Sequence, residues 1–305
     1  MPGRGSNRPN IGRTTWRVGA GQRRMEASRR PGDRWTLIFK HSHLGEHRLT
    51  PFELTYVCLE PALPRIHATA RRELRRIVQQ LPESNPNILD VGGRKSHYTI
   101  GVPGSVTVTD LPRRSAVQVE LNLGVTDAMW EQTARRRSNI AALVLDDMTK
   151  SSLPDSTFSC VIAVEVLEHV EEDERFVAEV SRVLKPGGYF VMTTPNGDYI
   201  KHEGKNPDHK RHYTRAQLQA LLARHLVEVD VHYAVAGGLF HRVGLRSWSM
   251  RHPIRTLAGM TSNVINAVQS APESIRERAI GTHHLVAIAR RRLTPATAHV
   301  RAQNQ

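Results

Sequence analysis

Apolar positions along the chain alternate between two periods. From residue 62 to 81, Ile66, Ala70, Leu74, Ile77, Val78 and Leu81 recur three and four apart, the spacing of one helical face. Pro82 and Pro86 end that helix, and the short apolar run NILDV (87–91) follows as a buried strand. SVTVTD (105–110), IAALVLDD (140–147), FSCVIAVEVL (158–167) and YFVMTTP (189–195) read as further strands. A helical stretch, EDERFVAEVSRVL (172–184), separates the last two, and KPGG (185–188) supplies a glycine stop beyond it. TRAQLQALLARH (214–225) opens on a threonine cap and predicts a helix. LVEVDVHYAV (226–235) and HHLVAIARR (283–291) complete the strands. Strands interleaved with helices predict an α/β fold with a seven-stranded, mostly parallel sheet covered on both faces. Residues 35–59, with the runs WTLIFK and FELTYVCL, read as an N-terminal cap or strand pair. Residues 234–281 read as an insertion before the last strand, with a helix over TSNVINAVQSA. Its apolar residues favour a lid beside a pocket over simple packing on the sheet edge.

Composition changes this picture mainly at the ends. Residues 1–34 carry nine arginines against two acids, about half of the net charge of +14, in a Gly/Arg/Ser-rich context. Such a segment buries too little apolar surface to order itself and predicts a solvated basic tail. Met25 is an alternative start. The expected organisation is therefore a tail over 1–34, a cap over 35–59, a main domain over 60–291 and a C-terminal tail over 292–305. No run reaches the ~20 apolar residues of a membrane span. Cys58 and Cys160 both lie in apolar runs and predict buried thiols in a reducing, cytoplasmic setting.

The candidate chemistry sits at strand ends, where parallel sheets bind ligands. The first strand ends in Asp90, Gly92 and Gly93, and the second in Asp110 and Leu111. The third ends in Asp146, Asp147 and Met148. Asp110 is placed to hydrogen-bond a ribose diol. At the third strand's end a carboxylate can accept from an adenine amine while an apolar neighbour covers the ring. One such acid alone would read as a helix cap; three in succession predict a nucleoside site.

With these motifs the chain resembles the class I S-adenosylmethionine-dependent methyltransferases, in particular the small-molecule group of type 11. The resemblance spans about residues 60–232 and the final strand, carried by ILDVGG, VTVTD, LDDMTKSSLPDSTFSCVIAVEVLEHV, VLKPGGYFVMTTPN and HYTRAQLQALL. It implies a Rossmann-like fold and S-adenosylmethionine as cofactor, held by Asp90, Gly92, Gly93, Asp110, Leu111, Asp147, Met148 and Glu165. The family's glycine loop is altered here: Arg94 and Ser96 occupy two glycine slots. This leaves Arg94 or Lys95 as a candidate partner for the methionine carboxylate, against the alternative that both face water. Ser159 also departs from the family, which often has Asp there.

Methyl transfer from a sulfonium requires mainly alignment, but an alcohol acceptor must also lose a proton. His169, His209 and His212 are the candidate bases, with His202, Glu165, Glu168 and Tyr213 nearby; Tyr213 and Thr214 are expected to fix the following helix. The set Glu165, Glu168, His169 and His209 also resembles the metal ligands of small-RNA 2′-O-methyltransferases, and ubiquinone-biosynthesis O-methyltransferases carry a similar Glu-x-x-Glu-His. Metal-free relatives share VLEH, and two imidazoles suit a hard cation poorly, so no metal is assigned. The expected activity is methylation of a small-molecule hydroxyl on a sugar, lipid or secondary metabolite, by a monomer or homodimer. An RNA 2′-O-methyltransferase is the alternative, disfavoured by 5% aromatic content and the lack of a basic stripe with stacking rings. A non-catalytic binding module is a third reading.

Overall fold

The computed structural model describes residues 14–18, 23–30, 34–41, 49–93, 97–112, 125–201, 208–245 and 251–293. Ten strands form one sheet in the order β1-β2-β3-β6-β5-β4-β7-β8-β10-β9. Its core is the predicted seven-stranded unit. β4 (Asn87–Val91), β5 (Ser105–Asp110), β6 (Ile140–Leu145), β7 (Phe158–Val164) and β8 (Leu184–Pro195) run parallel. β10 (Thr282–Arg290) inserts antiparallel between β8 and β9 (Val227–Ala236). The strand order reverses between β4 and β7, so the ligand-binding crevice is expected at their carboxyl ends.

Each face carries its own core. On one, α4 (Asp173–Val183) buries Phe176, Val177, Val180 and Val183, and α5 (Arg215–Ala223) buries Leu218, Leu221 and Leu222. On the other, α2 (Arg65–Gln80) and α3 (Asp127–Arg136) set Leu74, Ile77 and Trp130 against Ile88, Val106 and Ile162. Each fully buried side chain of this size contributes roughly 1.5–3 kcal/mol relative to exposure. Thr214 caps α5 through a reciprocal pair with Gln217, and the Tyr213 hydroxyl donates to Asp173, as expected of both residues. Between β9 and β10 the insertion forms α6 (Leu239–Gly244) and α7 (Pro253–Gln269). Among the described residues no helix is long and apolar enough to cross a membrane.

Four local expectations are corrected. FELTYVCL is helical, α1 (Pro51–Cys58), because Thr50 and Glu53 form a capping box and Pro51 opens the first turn. Two strands fall in the segment expected to be an unordered tail: β1 (Thr14–Val18) and β2 (Arg23–Arg30), followed by β3 (Arg34–His41). They extend the sheet antiparallel from β6, whose edge offers unpaired backbone groups to any strand that can reach it. KPGG does not form a glycine cap. α4 stops at Leu184, and Gly187 takes φ +75° within the opening residues of β8, its N–H donating to the Arg291 carbonyl. Cys160 is buried as expected, but Cys58, at the end of α1, is exposed.

Candidate functional site

A cleft of about 690 Å³ opens at the carboxyl rim of β4, β5, β6 and β7. Gly92, Asp110, Leu111, Asp147, Met148 and Glu165 all line it, so six of the eight residues expected at the cofactor share one cavity. Gly92 sits at φ +68° with its N–H on the Thr109 carbonyl, and a side chain there would meet Val166 at 2.8 Å. The turn therefore needs glycine for both conformation and space. Asp110 accepts the Leu111 N–H at 2.7 Å, which aims its carboxylate along the rim. Asp147 accepts from the Thr149 backbone and hydroxyl through Oδ1, with Lys150 Nζ 3.5 Å from Oδ2. Burial would raise the Asp147 pKa, but these donors and the lysine hold it below the ordinary carboxylate range. Asp147 is thus a cap and a cleft residue at once.

Asp90 and Gly93 are placed differently. Asp90 is fully buried and does not line the cleft; its two oxygens accept from the Tyr98 hydroxyl at 3.0 Å and the Thr99 hydroxyl at 2.9 Å. Thr99 in turn accepts from the buried guanidinium of Arg137 at 2.7 Å. Burial lowers the Arg137 pKa to about 10, with Asp90 and Glu53 opposing the fall. A side chain at Gly93 would strike the Asp90 carboxylate at 2.4 Å. This strand-end acid organises the turn from behind, because hydroxyls eight and nine residues later satisfy it. Arg94, Lys95 and Ser96 lie outside the described residues, as do His202 and Trp248.

The opposite wall is rich in imidazoles. His169 lines the cleft; its Nδ1 lies 3.1 Å from both the carbonyl and the carboxylate of Asp208, neither of which can donate. Nδ1 therefore carries the proton, and the Nε2 lone pair lies 4.0 Å from Glu168 Oε1. His209 packs edge-on to His169 with ring centres 4.7 Å apart. His212 donates from Nδ1 to the Ile200 carbonyl, and its Nε2 lies 2.8 Å from His209 Nδ1. The neutral chain this implies leaves His209 Nε2 as a lone pair. Burial, followed by His169 and His212, lowers the His209 pKa to about 4. His209 and His212 do not line the cleft themselves; they stand behind His169.

Glu168 is fully buried, takes the Thr194 hydroxyl on Oε2, and has no partner for Oε1. Burial and the neighbouring Glu165 push its pKa well above the ordinary value. Glu168, His169 and His209 each bring a ligating atom to within 4.8 Å of the others. Glu165 does not join this group, in contrast to the four-residue set the resemblance implies. It sits at φ +54° directly after β7 and accepts from the Thr193 hydroxyl at 2.8 Å and from His284 Nδ1 at 3.2 Å. Burial opposes ionisation, yet His284 and Thr193 hold its pKa below the usual value.

His284 is the residue the sequence reading passed over. It is 8% exposed, and its Nε2 is buried with no hydrogen-bond partner. His241 from α6 stands beside it, ring centres 5.4 Å apart, and 4.3 Å from His283. The signal was present in HHLVAIARR: an antiparallel strand begins at the rim where its parallel neighbours end. The register confirms it, with His284 opposite Pro195 at the end of β8.

Comparison with known proteins agrees with this geometry. Residues 99–192 match the family model described as a methyltransferase domain. A probable S-adenosylmethionine-dependent methyltransferase of Mycolicibacterium smegmatis is 30% identical over 154 residues, 49% of this chain and 55% of the relative. A fatty-acid O-methyltransferase of the same organism is 33% identical over 155 residues, covering 50% of this chain and 54% of its own. The chain spans about half the length of the curated relatives it matches. Among solved structures, a putative methyltransferase from Bacillus halodurans superposes with a TM-score of 0.44 at 16% identity, covering 72% of this chain and 99% of that one. The resemblance to methyltransferases read from the motifs is borne out over the matched segment, residues 99–192, and the sheet has the Rossmann-like order that goes with it.

Proposed function

We propose that the protein transfers a methyl group from S-adenosylmethionine to a hydroxyl of a small molecule. The observation that carries this reading is the convergence of Asp110, Asp147 and Glu165, from three strand ends, on one cleft. The acids fit the cofactor's groups. Asp110 faces the cleft as a ribose acceptor would, Asp147 and Met148 are placed for an adenine edge and face, and Gly92 leaves room for close backbone approach. When bound, the cofactor supplies a methyl carbon already activated by a sulfonium. The chain's own task is to orient the acceptor and hold its proton. Glu165 accepts from His284 Nδ1, which leaves Nε2 as the lone pair able to take a hydroxyl proton. The insertion over 234–281 brings His241 beside that nitrogen and acts as the lid of the acceptor side. A fatty-acid O-methyltransferase and a Caenorhabditis elegans sterol 4-C-methyltransferase among the relatives support a lipid as the acceptor class.

The test pairs calorimetric titration with S-adenosylmethionine and labelled-methyl transfer into fractionated extracts. Binding with a labelled small-molecule product is expected; binding without transfer to any fraction would leave a non-catalytic module. The grouping of Glu168, His169 and His209 favours a second reading, metal-assisted methylation of an RNA 2′-hydroxyl. That reading requires labelled RNA and loss of transfer on chelation; the first requires transfer that persists.

A further inference from the structure

Helix α7 is amphipathic with its faces reversed. The residues it buries are Gly259, Ser262, Asn263 and Asn266. Their polar groups are matched to the protein: Asn263 Nδ2 donates to the carbonyls of Ala62 at 2.8 Å and Gly244 at 3.1 Å, and Asn266 Nδ2 donates to Ala236 at 2.7 Å. The face turned outward carries Ile254 (85% exposed), Leu257, Val264, Ile265 and Val268 (70% exposed), spaced three, four and seven apart as one stripe. Leu239 and Leu245, on and just after the adjoining α6, are exposed as well. A helix anchored to its own protein through asparagines, with aliphatic residues left to solvent, places the larger apolar area where none of the described residues covers it.

Charge decides what could cover it. From residue 231 to 272 the chain has no aspartate or glutamate, while Arg242 and Arg255 stand exposed on the two helices. An isologous pairing of two copies through this stripe would bring those arginines toward their own counterparts, and the insertion's two carboxylates, Glu273 and Glu277, lie beyond the end of α7, with Glu277 already paired to Arg215. An anionic bilayer answers both features, since acyl chains take the aliphatic stripe and headgroup phosphates take the guanidinium groups.

We propose that the α6–α7 insertion is a membrane-docking surface for anionic lipid bilayers. Docking there sets α6, which carries His241 against His284, at the bilayer face, so an acceptor drawn from the lipid phase would arrive at the Glu165–His284 side of the cleft. The docking itself does not rest on methyl transfer. The test is co-sedimentation of the full chain with phosphatidylcholine vesicles, with or without about one-third phosphatidylglycerol. Binding to the anionic vesicles at least about tenfold stronger than to neutral ones, weakened by salt, is expected. The double substitution Leu257→Ser, Val268→Ser touches only exposed positions and is expected to abolish that binding with S-adenosylmethionine affinity unchanged. Equal binding by the double variant, or no binding of the wild type to anionic vesicles, would overturn the proposal. A lipid-free dimer that the same substitutions dissociate would assign the stripe to a second copy instead. Cofactor titration on the same samples reports separately on the methyltransferase reading.

Discussion

The two walls of the cleft are built on different principles. The wall from β4, β5 and β6 uses carboxylates and a glycine turn, each held by backbone groups or by neighbours close in sequence: Leu111 for Asp110, Thr149 for Asp147, Tyr98 and Thr99 for the buried Asp90. The side that follows β7 uses Glu165 and His169, whose partners His284 and Asp208 lie far away in sequence. Local bonding fixes a site whose ligand is always the same. Long-range pairing leaves room for a variable partner, because the elements that meet there can be exchanged separately.

Four measurements would break or sharpen that contrast. The largest effect is expected on the imidazole wall: His284→Asn should lower kcat for the identified acceptor by about 100-fold or more while cofactor affinity stays put. An unchanged rate would remove His284 from the chemistry. On the carboxylate wall, Asp110→Ala should weaken S-adenosylmethionine binding roughly tenfold to 100-fold, the worth of a charge-assisted hydrogen bond, as read by calorimetry. Behind that wall, Tyr98→Phe removes a hydroxyl donor from the buried Asp90 carboxylate. It should cost about 1–3 kcal/mol in denaturant unfolding, with a smaller change in cofactor affinity than Asp110→Ala.

The smallest effect is acid sensitivity. Burial, then His284 and His283, lowers the His241 pKa to about 3. Its unfolded value lies near 6.5, so between those limits the unfolded chain binds more protons and stability falls as pH falls. His241→Gln should flatten the melting temperature against pH in that window; an unaltered slope would show that His241 titrates normally.

The carboxylate wall was legible in the sequence for the same reason that it is local. SVTVTD is β5 to the residue, and the acids closing β5 and β6 reach the cleft as the spacing predicts. Asp90 misled because a strand-end acid looks the same whether it faces a ligand or the core. Only the hydroxyls of Tyr98 and Thr99 distinguish the cases, and their meaning depends on how the following turn folds. The imidazole wall was harder. His284 meets Glu165 across 119 positions, a pairing that exists only once β10 is known to run antiparallel beside β8. Helix α3 was missed outright: Trp130 and Ala134 are its buried apolar contacts, too few to raise a periodic signal. The fold's periphery was least legible, because WTLIFK and FELTYVCL share a composition, and only the Thr50–Glu53 capping box separates strand from helix.

The unequal burial of the two cysteines has a practical consequence. Burial raises the Cys160 thiol pKa far above neutrality, whereas Cys58 is open to solvent at the foot of α1, just before the Glu60–Ala62 turn that Asn263 grips. A maleimide fluorophore would therefore attach to one sulfur of the natural chain, close to the turn that Asn263 of the insertion holds. Its emission would follow the insertion's engagement in real time, with no engineered thiol.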